Sequence, residues 1–314
     1  MRKALVVGLD NYSFAPLKGC VNDAVRIETT IGKNGDGSPN FHVKSILNSA
    51  TKSQLREAIT DLFEGNNDIA LFYFSGHGLV KSTGGYIVTT DAEQYDEGIS
   101  MDEILRIVNQ SKTRDKIIIL DCCHSGAFGS TSFGSEENAL AQLCDGLTVL
   151  TASKNSESAI EVNGSGLFTS LLLDALEGGA ADLRGNITPG SVYAYIDEAL
   201  GAWEQRPVFK TNVQRFTSLR RVSPPLAQDV LRRIKDYFSS PEQEFQLDSS
   251  YEFTSPNRIE ENVKVFKELQ KYVSVGLVVP VGEEHMYFAA MNSKSCRLTA
   301  LGYQYWRLAS EGKL

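Results

Sequence analysis

The sequence predicts an α/β fold, a mostly parallel sheet with helices on both faces, followed by a small α+β unit. Three observations carry this. DIALFYFS (68–75) and KIIILD (116–121) are near-continuous apolar runs, as expected for strands buried on both faces of a parallel sheet. Short apolar runs alternate with helix-spaced segments across short connections, the pattern of β-α-β units. The chain then breaks at Ser223-Pro224-Pro225, a stiff run that helices do not cross.

Taken in order, KALVVG (3–8) reads as a strand, and residues 20–31 carry helical spacing with Val21, Ala24, Val25 and Ile27 apolar. FHVKSIL (41–47) is a strand. Thr51 with Gln54 three residues on forms a capping box for a helix to Phe63. After the 68–75 strand, Ser100 and Glu103 mark a second capping box and helix. The 116–121 strand follows, then a strand at LTVLTAS (147–153) and a helix over 167–176. Thr188-Pro189 opens a helix with proline at its first position. PVFK (207–210) is the last strand, and the glycine- and serine-rich stretches 32–38 and 125–135 are loops. The expected domains are 1–222, a linker at 223–226, and 227–314. In the second, 226–239 and 258–273 have helical patterning, with Ser255-Pro256 as a helix start. GLVVPVG (276–282) and HMYFAAM (285–291) read as two strands joined by a tight turn. Leu298-Thr299-Ala300-Leu301-Gly302 opens a final helix whose Tyr303, Tyr305 and Trp306 read as core.

The 314 residues, 42 % hydrophobic and 22 % charged, have ordinary globular composition. A net charge of −8 argues against nucleic acid as the main partner, because phosphate binding needs a concentrated basic face. Residues 226–314 hold 11 Lys+Arg against 12 Asp+Glu, so the second domain is also a poor phosphate binder. The apolar run near the N-terminus is too short for a signal core or a membrane span, so a cytoplasmic protein without a membrane partner is expected. Five cysteines, an odd number, do not suggest a disulfide framework, and no Cys-x-x-Cys pair marks a zinc site.

Two of the strands run into reactive residues: Ser75-Gly76-His77-Gly78 and Asp121-Cys122-Cys123-His124-Ser125-Gly126. In open parallel sheets, sites form past the carboxyl ends of the strands. Parallel neighbours would bring both clusters to one edge. A thiolate is the nucleophilic form of cysteine, and an imidazole can take its proton and later protonate a leaving amine. The backbone N–H groups of Gly78 and Cys123 are candidate donors to an oxyanion. His124 is a poor base for its sequence neighbour, because adjacent residues point apart. A metal site from Cys122, Cys123 and His124 lacks a fourth ligand at usable spacing.

Phe74-Ser75-Gly76-His77-Gly78 and Asp121-Cys122-Cys123-His124-Ser125-Gly126 resemble the catalytic motifs of caspase-like cysteine peptidases, in particular the metacaspase branch. The His77-to-Cys123 spacing is similar to the roughly 50 residues of the caspase pattern. Leu5-Val6-Val7-Gly8, Leu17-Lys18-Gly19-Cys20-Val21-Asn22-Asp23-Ala24 and Gln205-Arg206-Pro207-Val208-Phe209 resemble three further landmarks of the family, so the resemblance spans 1–216. It implies a caspase-like fold with Cys123 as nucleophile, His77 as base and Gly78 with Cys123 as oxyanion donors. Cys122 is then a small buried residue. The Gln-Ala-Cys motif of caspases proper is missing.

By resemblance to metacaspases, Asp23, Ser75 and Asp121 line the pocket for the residue before the cut. Two carboxylates there favour a guanidinium, which implies protein or peptide substrates cut after Arg, with Lys as a second choice. Many metacaspases use calcium bound after the histidine loop. Here residues 79–90 contain no acid, and Asp91, Glu93, Asp96 and Glu97 read as a solvated loop, so no cofactor or metal is expected. The second domain resembles a winged helix. Bacterial caspase-like peptidases often carry such domains as sensors in antiviral or cell-death systems, which implies gating of the peptidase by a small-molecule or protein activator. The alternative is a signalling or transcriptional module on an inactive peptidase fold; intact His77, Cys123 and flanking glycines favour the enzyme.

Overall fold

The computed structural model describes residues 1–122, 143–152, 161–162, 165–200 and 207–314. Two compact units divide between Ser223 and Pro224.

The first unit is built on a six-stranded sheet. Its strands are β1 (Arg2–Gly8), β2 (His42–Leu47), β3 (Ile69–Ser75), β7 (Asp115–Asp121), β8 (Leu147–Thr151) and β12 (Val208–Asn212), in the order β12-β8-β7-β3-β1-β2. All neighbours are parallel except β12, which runs antiparallel to β8. Side chains alternate across the sheet and feed two cores. Leu5, Val7, Phe72, Phe74, Ile118 and Leu120 pack with α2 (Lys52–Phe63) and α3 (Met101–Gln110). Val6, Leu71, Tyr73, Ile117, Ile119 and Leu150 pack with α1 (Cys20–Gly32), α4 (Leu167–Asp174) and α5 (Pro189–Leu200). Two-sided burial explains why β3 and β7 read as continuous apolar runs. Short pairs β9 (Glu161–Val162) with β10 (Ser165–Gly166), and β11 (Asn186–Ile187) with β13 (Arg220–Arg221), complete the unit.

The predicted caps form with one difference. Thr51 and Gln54 exchange both hydrogen bonds of a capping box. Ser100 accepts from the Glu103 N–H, but the Glu103 carboxylate pairs with Arg56 of α2, so the expected second box gives way to a tie between helices.

The segment after His77 differs from the expected loop. β4 (Gly78–Lys81), β5 (Gly84–Glu93) and β6 (Asp96–Ser100) form an antiparallel sheet. Asp91 accepts from the Lys52 N–H at 3.0 Å, Asp96 pairs with Lys52 and Glu97 with Lys81. These acids anchor strand ends to lysines. Among the described residues no cluster of acids, histidines and cysteines has the form of a metal site.

The second unit contains α6 (Gln228–Arg232), α7 (Ile234–Tyr237), β14 (Phe245–Gln246), α8 (Glu260–Ser274), β15 (Val278–Val281), α9 (Met286–Met291), β16 (Ser295–Leu298) and α10 (Ala300–Ser310). The expected strand at 285–291 is helix α9. Met286, Ala289 and Ala290 are its buried residues, a spacing of three and four that suits one helical face. Its apolar run is short enough to read either way. The partner of β15 is instead β16, and the sheet order is β14-β16-β15. Ser255-Pro256 forms a turn, with the Asn257 N–H on Ser255 Oγ, and α8 starts at Glu260. No described helix is long and apolar enough to cross a membrane.

Candidate active site

The register of the central strands builds the site. Gly8 on β1, Ser75 on β3 and Asp121 on β7 lie side by side. The Gly76 N–H reaches the Asp121 carbonyl at 3.4 Å. His77 thus leaves the sheet two residues past this line. Cys123 follows Asp121 by the same interval; Cys123 and His124 lie outside the described residues, as do Gln205 and Arg206. Cys122 is buried, 6 % exposed, in the core beside Leu120.

His77 is half-buried and held from three sides. Its Nε2 lies 2.7 Å from the Ala15 carbonyl. A carbonyl only accepts, so Nε2 carries a proton and Nδ1 is left as the basic atom. Tyr12 Oη accepts from the His77 backbone N–H at 3.1 Å and donates to the Val88 carbonyl at 3.1 Å. The Tyr12 ring packs 4.6 Å from the imidazole, with Phe14 beyond it. Gly76 is needed here for tight packing around the phenol. A Cβ on it would sit 2.6 Å from Tyr12 Oη and 2.8 Å from Phe74 Cζ. Gly78 opens β4 opposite Ile87.

A second group of side chains lies on the other side of the Ser75–Asp121 line. Asp23, on the first turn of α1, is 2 % exposed. Asp10, just past β1, accepts from the Cys20 N–H at 3.0 Å and the Val21 N–H at 3.3 Å. That contact satisfies the start of α1, where Gly19 offers no side-chain cap. The Asp23 carboxylate accepts from the Gly166 N–H at 3.2 Å. Asp121 accepts from Thr169 Oγ1 at 2.6 Å, and that hydroxyl meets Tyr73 Oη at 2.6 Å. A Cβ on Gly166 would fall 2.9 Å from Asp121 Oδ2 and 3.6 Å from Asp23 Oδ2, so the two carboxylates converge on a residue with no side chain. Ser75, 3 % exposed, lies beside Asp121 across the β3–β7 pair.

The electrostatics follow from this crowding. Burial pushes the Asp121 carboxyl up to about 6; the Thr169 hydrogen bond works against that rise and the Asp23 charge adds to it. Burial likewise pushes the Cys20 thiol up to about 12, which keeps it protonated and unreactive at neutral pH. The fully buried Tyr73 hydroxyl is raised by burial and by the charges of Asp121 and Asp23.

Asp23, Ser75 and Asp121 are thus brought together, with His77 across the strand ends from them. Tyr12, the Ala15 carbonyl, Gly166 and Thr169 carry no signal in the sequence. Each acts through a contact distant along the chain, and none belongs to a periodic pattern. The family model described as caspase domain, peptidase C14, matches residues 1–216. Among solved structures, the chain is similar to protein GSU0716 from Geobacter sulfurreducens, at TM-score 0.50 and 16 % identity, covering 68 % of this chain and 95 % of that one. It is also similar to caspase-1 from Spodoptera frugiperda, at TM-score 0.50 and 12 % identity, covering 71 % and 91 %. These two likenesses concern the fold. The comparison with curated proteins returned no match.

Proposed function

The chain belongs to the caspase domain family, a family of cysteine-type endopeptidases, and from this premise we propose that it cuts protein substrates after Arg, and second after Lys, with Cys123 as nucleophile and His77 Nδ1 as base. The observation that carries the specificity is the convergence of Asp23 and Asp121 on Gly166. Two carboxylates at one place, one with its pKa raised to about 6, favour a cationic guest. A guanidinium can bind one carboxylate through two hydrogen bonds and neutralise the pair. An aspartate side chain there would add a third anion. This is the metacaspase type of preference rather than that of caspases proper.

In the reaction, His77 Nδ1 takes the Cys123 proton while the Ala15 carbonyl holds Nε2–H and fixes the ring. The thiolate attacks the scissile carbonyl, and the Gly78 and Cys123 N–H groups receive the oxyanion. The imidazolium then protonates the leaving amine, and water completes hydrolysis of the thioester.

Residues 117–153 contain no Lys or Arg. An enzyme of this preference cannot mature by cutting itself between the nucleophile and β8. Arg220 and Arg221 are poor substitutes, because their backbone pairs with β11 and the Arg220 guanidinium bonds the Lys33 and Leu176 carbonyls. The protein therefore works as an intact chain, or with cuts only elsewhere, such as at Arg184, which is exposed in a turn, and control falls to other means. The 224–314 unit is the candidate. Its likeness to a winged-helix sensor rests on α8, the β15–β16 pair and the 298–302 segment, and a role in a bacterial defence or cell-death response rests on the family resemblance.

The test is to incubate the purified protein with an Arg-peptide substrate and sequence new N-termini as activity develops. Activity without a cut between 124 and 146 is expected. A cut there that tracks with activity would contradict both the Arg preference and the intact-chain mechanism.

A further inference from the structure

We propose that Thr169, on the first turn of α4, is a positioning residue that keeps the Asp121 carboxylate ionised and aimed into the substrate pocket before a cation arrives; this rests on the Arg-pocket reading above. Asp121 sits beside the Asp23 charge. Two like charges in a buried place push one group to hold its proton. A half-protonated pocket is a weaker trap for a guanidinium, so something must oppose the proton.

The first turn of α4 supplies it. The Gly166 N–H, just before the helix, donates to Asp23, and Thr169 Oγ1 donates to Asp121. Direction follows from counting protons. A hydroxyl has one hydrogen, and an ionised carboxylate only accepts, so Thr169 gives its hydrogen to Asp121. The 2.6 Å contact with Tyr73 must then be donated by Tyr73. The chain Tyr73–Thr169–Asp121 thus ends on the carboxylate. Thr169 is 0 % exposed and cannot trade this bond for water. Among the described residues the groups facing Asp121 are Asp23 and Cys20 on α1, Tyr73 on β3 and Thr169 on α4. Of these, Thr169 donates to the carboxylate through its hydroxyl at 2.6 Å, and its backbone also favours the ionised form. Without that donor the carboxyl holds its proton to higher pH.

The experiment measures kcat/KM from pH 5.5 to 9 on two peptides that differ only in Arg or Gln before the cut. Their ratio cancels the titration of the cysteine and histidine and leaves that of the pocket. Wild type is expected to gain its Arg/Gln ratio as pH rises through about 6. Thr169→Val is expected to lower the ratio at pH 7 by roughly ten- to a hundredfold, as loss of a hydrogen bond to a charged group does, and to recover part of it toward pH 9. Thr169→Ser is expected to restore both the ratio and its pH course. Since Thr169→Val also leaves Tyr73 without its acceptor, the double variant Thr169→Val with Tyr73→Phe separates packing from charge and should show the same displaced pH course. Asp121→Asn should flatten the ratio at every pH. If Asp121→Asn flattens it while Thr169→Val leaves size and pH course unchanged, the role of Thr169 is wrong and the Arg pocket stands. If wild type shows no preference for Arg over Gln, the Arg pocket fails and the proposal falls with it.

Discussion

Asp121→Asn is expected to lower kcat/KM on an Arg peptide by about a hundredfold or more, the effect of removing one partner of a buried charge pair. The same variant should be more stable than wild type at neutral pH. The folded carboxyl titrates near 6 and the ordinary value is 3.8. Between these values the folded chain holds the proton more tightly than the unfolded chain, so stability falls as pH rises toward and through 6. Asn removes that cost and can still accept from Thr169. Since Asp121 keeps part of its surface open, the gain above pH 7 is about 1–3 kcal/mol, and it should vanish below pH 4. Thermal melts at pH 4 and pH 7.5 beside the kinetics check both halves. A variant that loses Arg cleavage and also loses stability at pH 7.5 would mean that Asp121 is a structural acid rather than a binding group. The expected opposition is the trade between stability and function found where like charges are held together for a ligand.

Cys123→Ala is expected to abolish hydrolysis, and His77→Ala to reduce kcat by about a thousandfold or more, as for members of other nucleophile–base pairs. Cys122→Ala should leave most activity, because Cys122 is 6 % exposed and packed in the core beside Leu120. Its cost is a small cavity. Alkylation at neutral pH followed by peptide mass mapping gives an independent reading. Preferential labelling of Cys123, lost in His77→Ala, is expected. Preferential labelling of Cys122 would overturn the assignment of the nucleophile.

Much of this was legible in the sequence, for physical reasons. β3 and β7 are buried on both faces, so their apolar runs announced both the strands and their parallel neighbours. Parallel pairing then fixed the line Gly8–Ser75–Asp121 from which the His77 and Cys123 motifs depart. The antiparallel sheet over 78–100 was not legible, because its acids looked solvated until Lys52 and Lys81 were seen to pair with them. Helix α9 was mistaken for a strand because six residues hold too few turns for a period to show. The supports of the site were hidden for a third reason. Tyr12 meets His77, and Thr169 meets Asp121, only because the sheet brings distant loops and helices together. No local pattern selects a tyrosine or threonine for such a contact.

The central claim is that two converging carboxylates make this caspase-domain protein a peptidase for cationic residues. A peptide library that varies every residue before the cut, profiled with the wild-type chain, tests it most directly. Arg first, Lys second and no measurable cleavage after Asp is the predicted profile. A preference for Asp at that position would contradict the pocket and the metacaspase type of specificity together.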